Sequence, residues 1–144
     1  MTQIKTNKGF VFQLDIKECD ENSFIFYAKD IETNKRLGFV SFRIDDKNRN
    51  HVWMQKIEVY KKYQGKGIGQ ALLTAFEYNC VKNNVDTVEG KYYPSNQAAV
   101  NMYKKNRYEI SQETYGKEIF KYLSKSTVMR KYREIKHDPS ESGT

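Results

Sequence analysis

Three glycines, Gly65, Gly67 and Gly69, alternate within VYKKYQGKGIGQALL (Val59 to Leu73), where an extended segment gives way to a helix. Glycine tolerates a positive φ and carries no side chain to block a ligand. The first amides of a helix have no partner within it, and the helix dipole adds partial positive charge there. Such a turn is a cradle for a phosphate or pyrophosphate. Two common phosphate loops do not fit. A dinucleotide fingerprint starting at Gly65 or Gly67 needs glycine at position 70 or 72, which hold Gln70 and Leu72. A P-loop ending in Gly65-Lys66 needs glycine at 60 and Ser or Thr at 67, where Tyr60 and Gly67 stand.

What does fit is Q/R-x-x-G-x-G/A, in Gln64, Gly67 and Gly69. A second segment, NQAAVNMYKKNRY from Asn96 to Tyr108, fits N-x-x-A-x-x-x-Y-x-x-x-G-F at Asn96, Ala99 and Tyr103. Tyr108 stands for the phenylalanine and Arg107 for the glycine, so Asn106 is expected to take up the left-handed turn. In these two segments, their order and their spacing, the chain resembles the GNAT superfamily of acyl-CoA-dependent N-acyltransferases, over roughly positions 36 to 122.

The resemblance implies an α/β fold: a central mixed, mostly antiparallel sheet whose fourth and fifth strands splay apart, with two main helices. It implies acetyl-CoA as co-substrate, no metal, and direct transfer of the acetyl group to a primary amine. Gln64, Gly65, Lys66, Gly67, Ile68, Gly69 and Gln70 would cradle the pyrophosphate. The backbone of Ile57 and Val59 would hold the pantetheine arm in the splay, with an amide near Val59 facing the thioester oxygen. Asn96 would bond the pantetheine, or simply cap its helix. Tyr103 would point its hydroxyl at the sulfur as general acid or orienting donor, or serve as a core aromatic.

Acyl transfer needs a free-base amine, a stabilised oxyanion and a proton for the leaving thiolate. Two carboxylates are placed to take the amine proton through water. Glu89 matches a glutamate that some members of the family carry on the fifth strand. Glu58 faces opposite to Ile57 and Val59 on the fourth. Burial would raise either toward a useful range, while the bland reading of each is a surface strand glutamate. His51 and His137 have no partner at catalytic spacing and read as structural or exposed. Cys80 lies on the apolar side of the cradle helix, which disfavours a cysteine intermediate.

The elements that must position these groups follow from periodicity. Gly9 to Ile16, Ser23 to Lys29, Leu37 to Ile44 and His51 to Val59 alternate apolar and polar, as half-buried strands do. After the glycine turn, Ile68, Ala71, Leu72, Ala75, Phe76 and Cys80 recur at helical spacing, and Asn83-Asn84 ends the helix. Thr87 to Tyr92 reads as a fifth strand, and Pro94-Ser95 as the opening of a second helix. Tyr108 to Tyr115 and Lys117 to Leu123 form a closing antiparallel pair across Gly116.

Only Lys17 to Asn22 separates the first two of these strands, where the family usually inserts two helices that wall the acceptor site. The acceptor side should therefore be open, or covered by a second subunit or by the C-terminal segment; homodimerisation is left open. The domain is placed at 1–123, with an extension over 124–144. Within it Ser126 to Lys136 reads either as a basic amphipathic helix or as a frayed tail.

At 144 residues, 38% hydrophobic and 14% aromatic, the chain can supply one core and is not of disordered composition. No apolar stretch suits a membrane span, and Met1-Thr-Gln-Ile-Lys lacks a signal peptide's apolar middle. Two cysteines, Cys19 and Cys80, make neither a disulfide framework nor a metal site, which with the preceding points leads us to expect a cytoplasmic protein. The net charge of +7 invites a nucleic-acid reading, but the lysines are scattered and no binding module accompanies them. Part of the charge could steer a polyanionic co-substrate. The alternatives to an enzyme are a catalytically silent CoA-binding module and a basic nucleic-acid-associated protein on the same scaffold.

Overall fold

The computed structural model describes residues 2–93, 95–111 and 117–139. Five strands run first, β1 (Thr2–Lys5), β2 (Val11–Glu18), β3 (Ser23–Asp30), β4 (Arg36–Ile44) and β5 (His51–Val59), each antiparallel to the one before. Connections of a few residues, such as Cys19 to Asn22 between β2 and β3, leave no room for a helix. A 3₁₀ turn (Lys61–Tyr63) and helix α1 (Ile68–Lys82) cross over to β6 (Thr87–Lys91), which pairs parallel with β5. Helix α2 (Gln97–Lys105), β7 (Glu109–Ser111), β8 (Glu118–Tyr122), α3 (Lys125–Ile135) and β9 (Lys136–His137) complete the chain. Among the described residues the strands form one sheet in the order β7-β8-β6-β5-β4-β3-β2-β1-β9, a mixed and mostly antiparallel α/β fold.

All three helices gather on one face. Phe12, Phe26, Val40, Phe42, Val52 and Val88 point to that face and are at most 3% exposed. Phe76 of α1 meets Phe42 edge-on at 4.9 Å. The helix is buried more widely than its stripe of six predicts: Leu73, Thr74, Glu77 and Val81 are buried as well. The reason is that α1 is flanked on both sides. Gln70 and Asn106 exchange two side-chain bonds of 2.9 and 2.8 Å with the end of α2. On the other flank Tyr78 stacks on Tyr132 of α3 at 3.7 Å.

The extension is thus packed rather than frayed through His137. Ser124 caps α3, Val128 and Tyr132 are buried, and β9 pairs with β1 at Gln3 and Ile4. Helix α3 starts one residue earlier than the apolar spacing gives, and it docks on α1. Strands β1 and β9 are too short to show a period: β1 is a strand by its pairing with β2, and β9 by its pairing with β1. At α2 the helix opens at Asn96, whose Oδ1 accepts from Ala99 N at 3.1 Å, and not at Pro94-Ser95; Pro94 itself lies outside the described residues. Of the closing pair, β7 is described over Glu109–Ser111, and the expected continuation to Tyr115 and the turn at Gly116 lie outside the described residues.

Arg107, not Asn106, takes the left-handed turn after α2, with φ 63°. The physical reason is a Schellman closure in which Tyr108 N bonds Tyr103 O (2.9 Å) and Arg107 N bonds Lys104 O (3.1 Å). Asn106 is 4% exposed and its side-chain nitrogen donates to Met102 O and Gln70, which holds it at φ −94°.

Candidate active site

The site is built where β5 and β6 part. They share four rungs, from His51–Thr87 to Met54–Gly90, and beyond Met54 β5 runs on to Val59 paired only with β4. A bulge at Gln55, between the rungs Ser41–Lys56 and Phe42–Met54, bends β5 at the parting. Tyr60 N donates to Leu37 O at 3.0 Å, so Gly38–Val59 is a rung whose members do not bond each other. The N–H and C=O of Val59 therefore turn away from β4 toward the open edge, and by the two-residue period so do those of Ile57. The Val59 carbonyl accepts from Gln64 Nε2 at 3.0 Å.

At the other end, α1 starts behind Gly67, which has φ 83°, a conformation that L side chains rarely adopt. No side chain caps α1 and its first turn holds no acidic residue. The amides of Ile68, Gly69 and Gln70 consequently have no partner within the helix. Between cradle and open edge lies a cleft of about 460 Å³, lined by Ile57, Glu58, Val59, Gln64, Gly65, Gly67, Ile68, Gly69 and Asn96. Gly69 lies between the two, where a Cβ would meet Val59 Cγ2 at 3.4 Å and Met102 Sδ at 3.5 Å in ordinary contact. Uncapped amides and an unpaired strand edge on one cleft suit an extended chain with a phosphate group at one end.

Lys61, Tyr63, Ala98, Ala99 and Met102 also line the cleft and were not singled out from sequence as contacts. Ala98, Ala99 and Met102 could have been found by placing the face of α2 that shares a side with Asn96. Lys61 and Tyr63 sit in a 3₁₀ turn that leaves no periodic signal.

Four expected residues do not line it. Lys66 leans its ammonium over the Phe10 ring at 5.3 Å. The Gln70 side chain is tied to Asn106. Tyr103 is 4% exposed, packed in the core and 5.6 Å from the Tyr108 ring. Its hydroxyl has no partner among the described residues, and burial pushes its pKa up to about 12. Glu89 sits on the helix-free face of the sheet beside Trp53, one rung before the parting.

Glu89 has a companion that spacing did not suggest. His51 Nε2 lies 3.6 Å from Glu89 Oε2, and His51 Nδ1 is 2.7 Å from Thr87 Oγ1. Strand register, not sequence separation, brings positions 51 and 89 together, so His51 is not without a partner. Nearby, Trp53 Nε1 donates to Asp45 at 3.0 Å, which with the Asn48 and Lys47 amides holds that carboxyl down at about 2. Glu58 lies at the cleft with Lys56 at 3.3 Å. Among the described residues no His, Cys, Asp and Glu cluster could hold a metal, and no helix is long and apolar enough to cross a membrane.

Comparison with known proteins agrees with this geometry. The Acetyltransferase (GNAT) family model matches residues 5–107. An acetyltransferase of the GNAT family from Staphylococcus aureus is 17% identical with a TM-score of 0.63, over 71% of this chain and 68% of that one. A Bacillus subtilis acetyltransferase solved in complex with CoA is 14% identical with a TM-score of 0.63, over 78% of this chain and 99% of that one. A cAMP-binding acyltransferase from Mycobacterium smegmatis is 15% identical with a TM-score of 0.74; it aligns with 98% of this chain, which spans 51% of it. No curated protein is significantly similar in sequence. At these identities the solved structures show the shared fold, and the family match, over more than half the chain, shows that this protein belongs to the GNAT acetyltransferase family.

Proposed function

We propose that the protein is an N-acetyltransferase that moves an acetyl group from acetyl-CoA to a primary amine by direct attack. One observation carries the reading: an unpaired edge of β5 and an uncapped helix start face the same cleft. The amides of Ile68, Gly69 and Gln70 would take the pyrophosphate, and the backbone of Ile57 and Val59 the pantetheine arm. Asn96 has its Oδ1 engaged as a helix cap, which leaves its Nδ2 to donate into the cleft it lines.

Bound acetyl-CoA would supply the thioester, whose C–S bond breaks as the amine's C–N bond forms. The amine proton would pass through water to Glu58, at the cleft, or to Glu89, beside His51. Tyr103, next in sequence to the cleft-lining Met102, keeps its proton at neutral pH; it would serve as donor to the departing sulfur rather than as base. Cys80 is buried, and burial pushes its thiol well up, which favours direct transfer over a cysteine intermediate. Acceptors open to this chemistry include a protein amino terminus, a lysine side chain, a polyamine, an aminoglycoside and a small metabolite amine.

The test is calorimetric titration with acetyl-CoA beside a Gly69→Glu variant. Glutamate there projects into the cleft, while its charge at a helix N-terminus favours the fold. Micromolar binding by the wild type and none by the variant is expected. A folded wild type that does not bind acetyl-CoA would sink the reading.

A further inference from the structure

The first hairpin of the chain reaches the glycine turn, nearly sixty residues away in sequence. Three of its residues converge on positions 65 to 67. Thr6 Oγ1 donates to Lys66 O at 2.6 Å, and Lys8 Nζ donates to Gly65 O at 3.0 Å. Asn7 presses on Gly67, where an added Cβ would come within 2.6 Å of Asn7 Oδ1. The Lys66 ammonium in turn rests over Phe10 of the same hairpin. Thr6 is 4% exposed, and its one hydroxyl also accepts from Lys8 N (3.3 Å) and Phe10 N (3.2 Å), so it ties the hairpin turn and the glycine turn together.

We infer that Thr6, Asn7 and Lys8 form a second wall of the phosphate cradle, with Lys8 as a binding cation for the pyrophosphate of a CoA thioester and Thr6 as the residue that positions the turn. The inference rests on the acetyl-CoA reading above. A lysine ammonium has three donors, and one carbonyl occupies only one of them. The other two remain for an anion on the same turn. The uncapped amides of α1 follow the same glycine turn that the hairpin holds by the Gly65 and Lys66 carbonyls, and only the fold brings the two segments together.

Calorimetry with acetyl-CoA tests it, using Lys8→Ala, Lys8→Glu and, as a control for overall charge, Lys17→Glu at the far end of β2. Charge-assisted bonds of this kind predict a Kd raised about tenfold in Lys8→Ala and about a hundredfold in Lys8→Glu. Lys17→Glu should stay within about twofold, as distant surface charges are screened. Thr6→Val should weaken binding and Thr6→Ser restore it, a rescue that tracks the hydroxyl rather than packing. Thermal melts confirm that each variant is folded. Wild-type binding with Lys8→Glu no weaker than Lys17→Glu would overturn the hairpin's role and leave the co-substrate reading intact. No binding by the folded wild type would overturn both.

Discussion

The two faces of the sheet divide the work of the molecule. One carries three helices and nearly all of the buried apolar side chains, down to Phe12, Phe76 and Leu72 at 0% exposure. The other carries no helix among the described residues and shows Trp53, His51, Glu58 and Glu89 beside Phe39, Ser41 and Lys56. Stability belongs to the first face and the candidate chemistry to the second, which meet where β5 and β6 part. A compact member of the family can omit the helices between its first strands because the covered face already closes a core without them. What it forgoes is a wall, not a foundation.

The contrast can be broken most directly by cutting one side chain from each face. Phe76→Ala should cost about 3–5 kcal/mol in denaturant unfolding, whereas Trp53→Ala, at 39% exposure, should stay within about 0.5–1 kcal/mol. Equal losses would mean that the open face is buried in solution, for instance against a second copy. On the open face the effect should appear in turnover instead. Of Glu58→Gln and Glu89→Gln, the variant that removes the base should lower kcat about a hundredfold or more with unfolding unchanged.

The seam between the faces is sharpened by Gly90→Ala. A Cβ at this last rung would stand 2.5 Å from the Met54 carbonyl, so the strands must shift, at about 1–3 kcal/mol in thermal unfolding. Gly69→Ala meets only ordinary contacts at 3.4 Å and should be nearly neutral to the fold. Alkaline unfolding tests Tyr103. Its pKa is raised from 10 in the unfolded chain to about 12, so the folded state holds that proton more tightly. Its contribution is intact below pH 10 and is lost as pH rises through 12. Tyr103→Phe should flatten that part of the stability profile. A small gain rather than a loss is expected at Arg107→Gly, which relieves φ 63° at the Schellman position and should stabilise by about 0.5–1 kcal/mol in chemical unfolding.

Where a signal is local, the sequence carried it. The glycine turn, the start of α1, the strands from β2 to β6 and the hairpin in place of two helices all follow from period, turn chemistry and spacing. Gln64, Gly65, Gly67, Ile68, Gly69 and Asn96, from the two motif segments, meet Ile57, Glu58 and Val59 of β5 along one cleft. The left-handed turn was placed one residue early because the Schellman bonds, not residue type, choose the position. Tyr103 reads as a proton donor or a core aromatic; its ring lies in the core at 4% exposure, and the donor role stands as a proposal.

Covalent order settles what each segment can be. Alternation makes strands because side chains on a pleated chain switch faces at every residue, and glycine at a helix start leaves amides open because nothing stands over them. Tertiary structure alone decided what meets what. Register put His51 beside Glu89, packing sent α3 to the covered face, and the first hairpin closed on a turn nearly sixty residues away. Those contacts depend on distances between segments, a quantity that chain-local chemistry constrains weakly and that the burial of one shared core fixes.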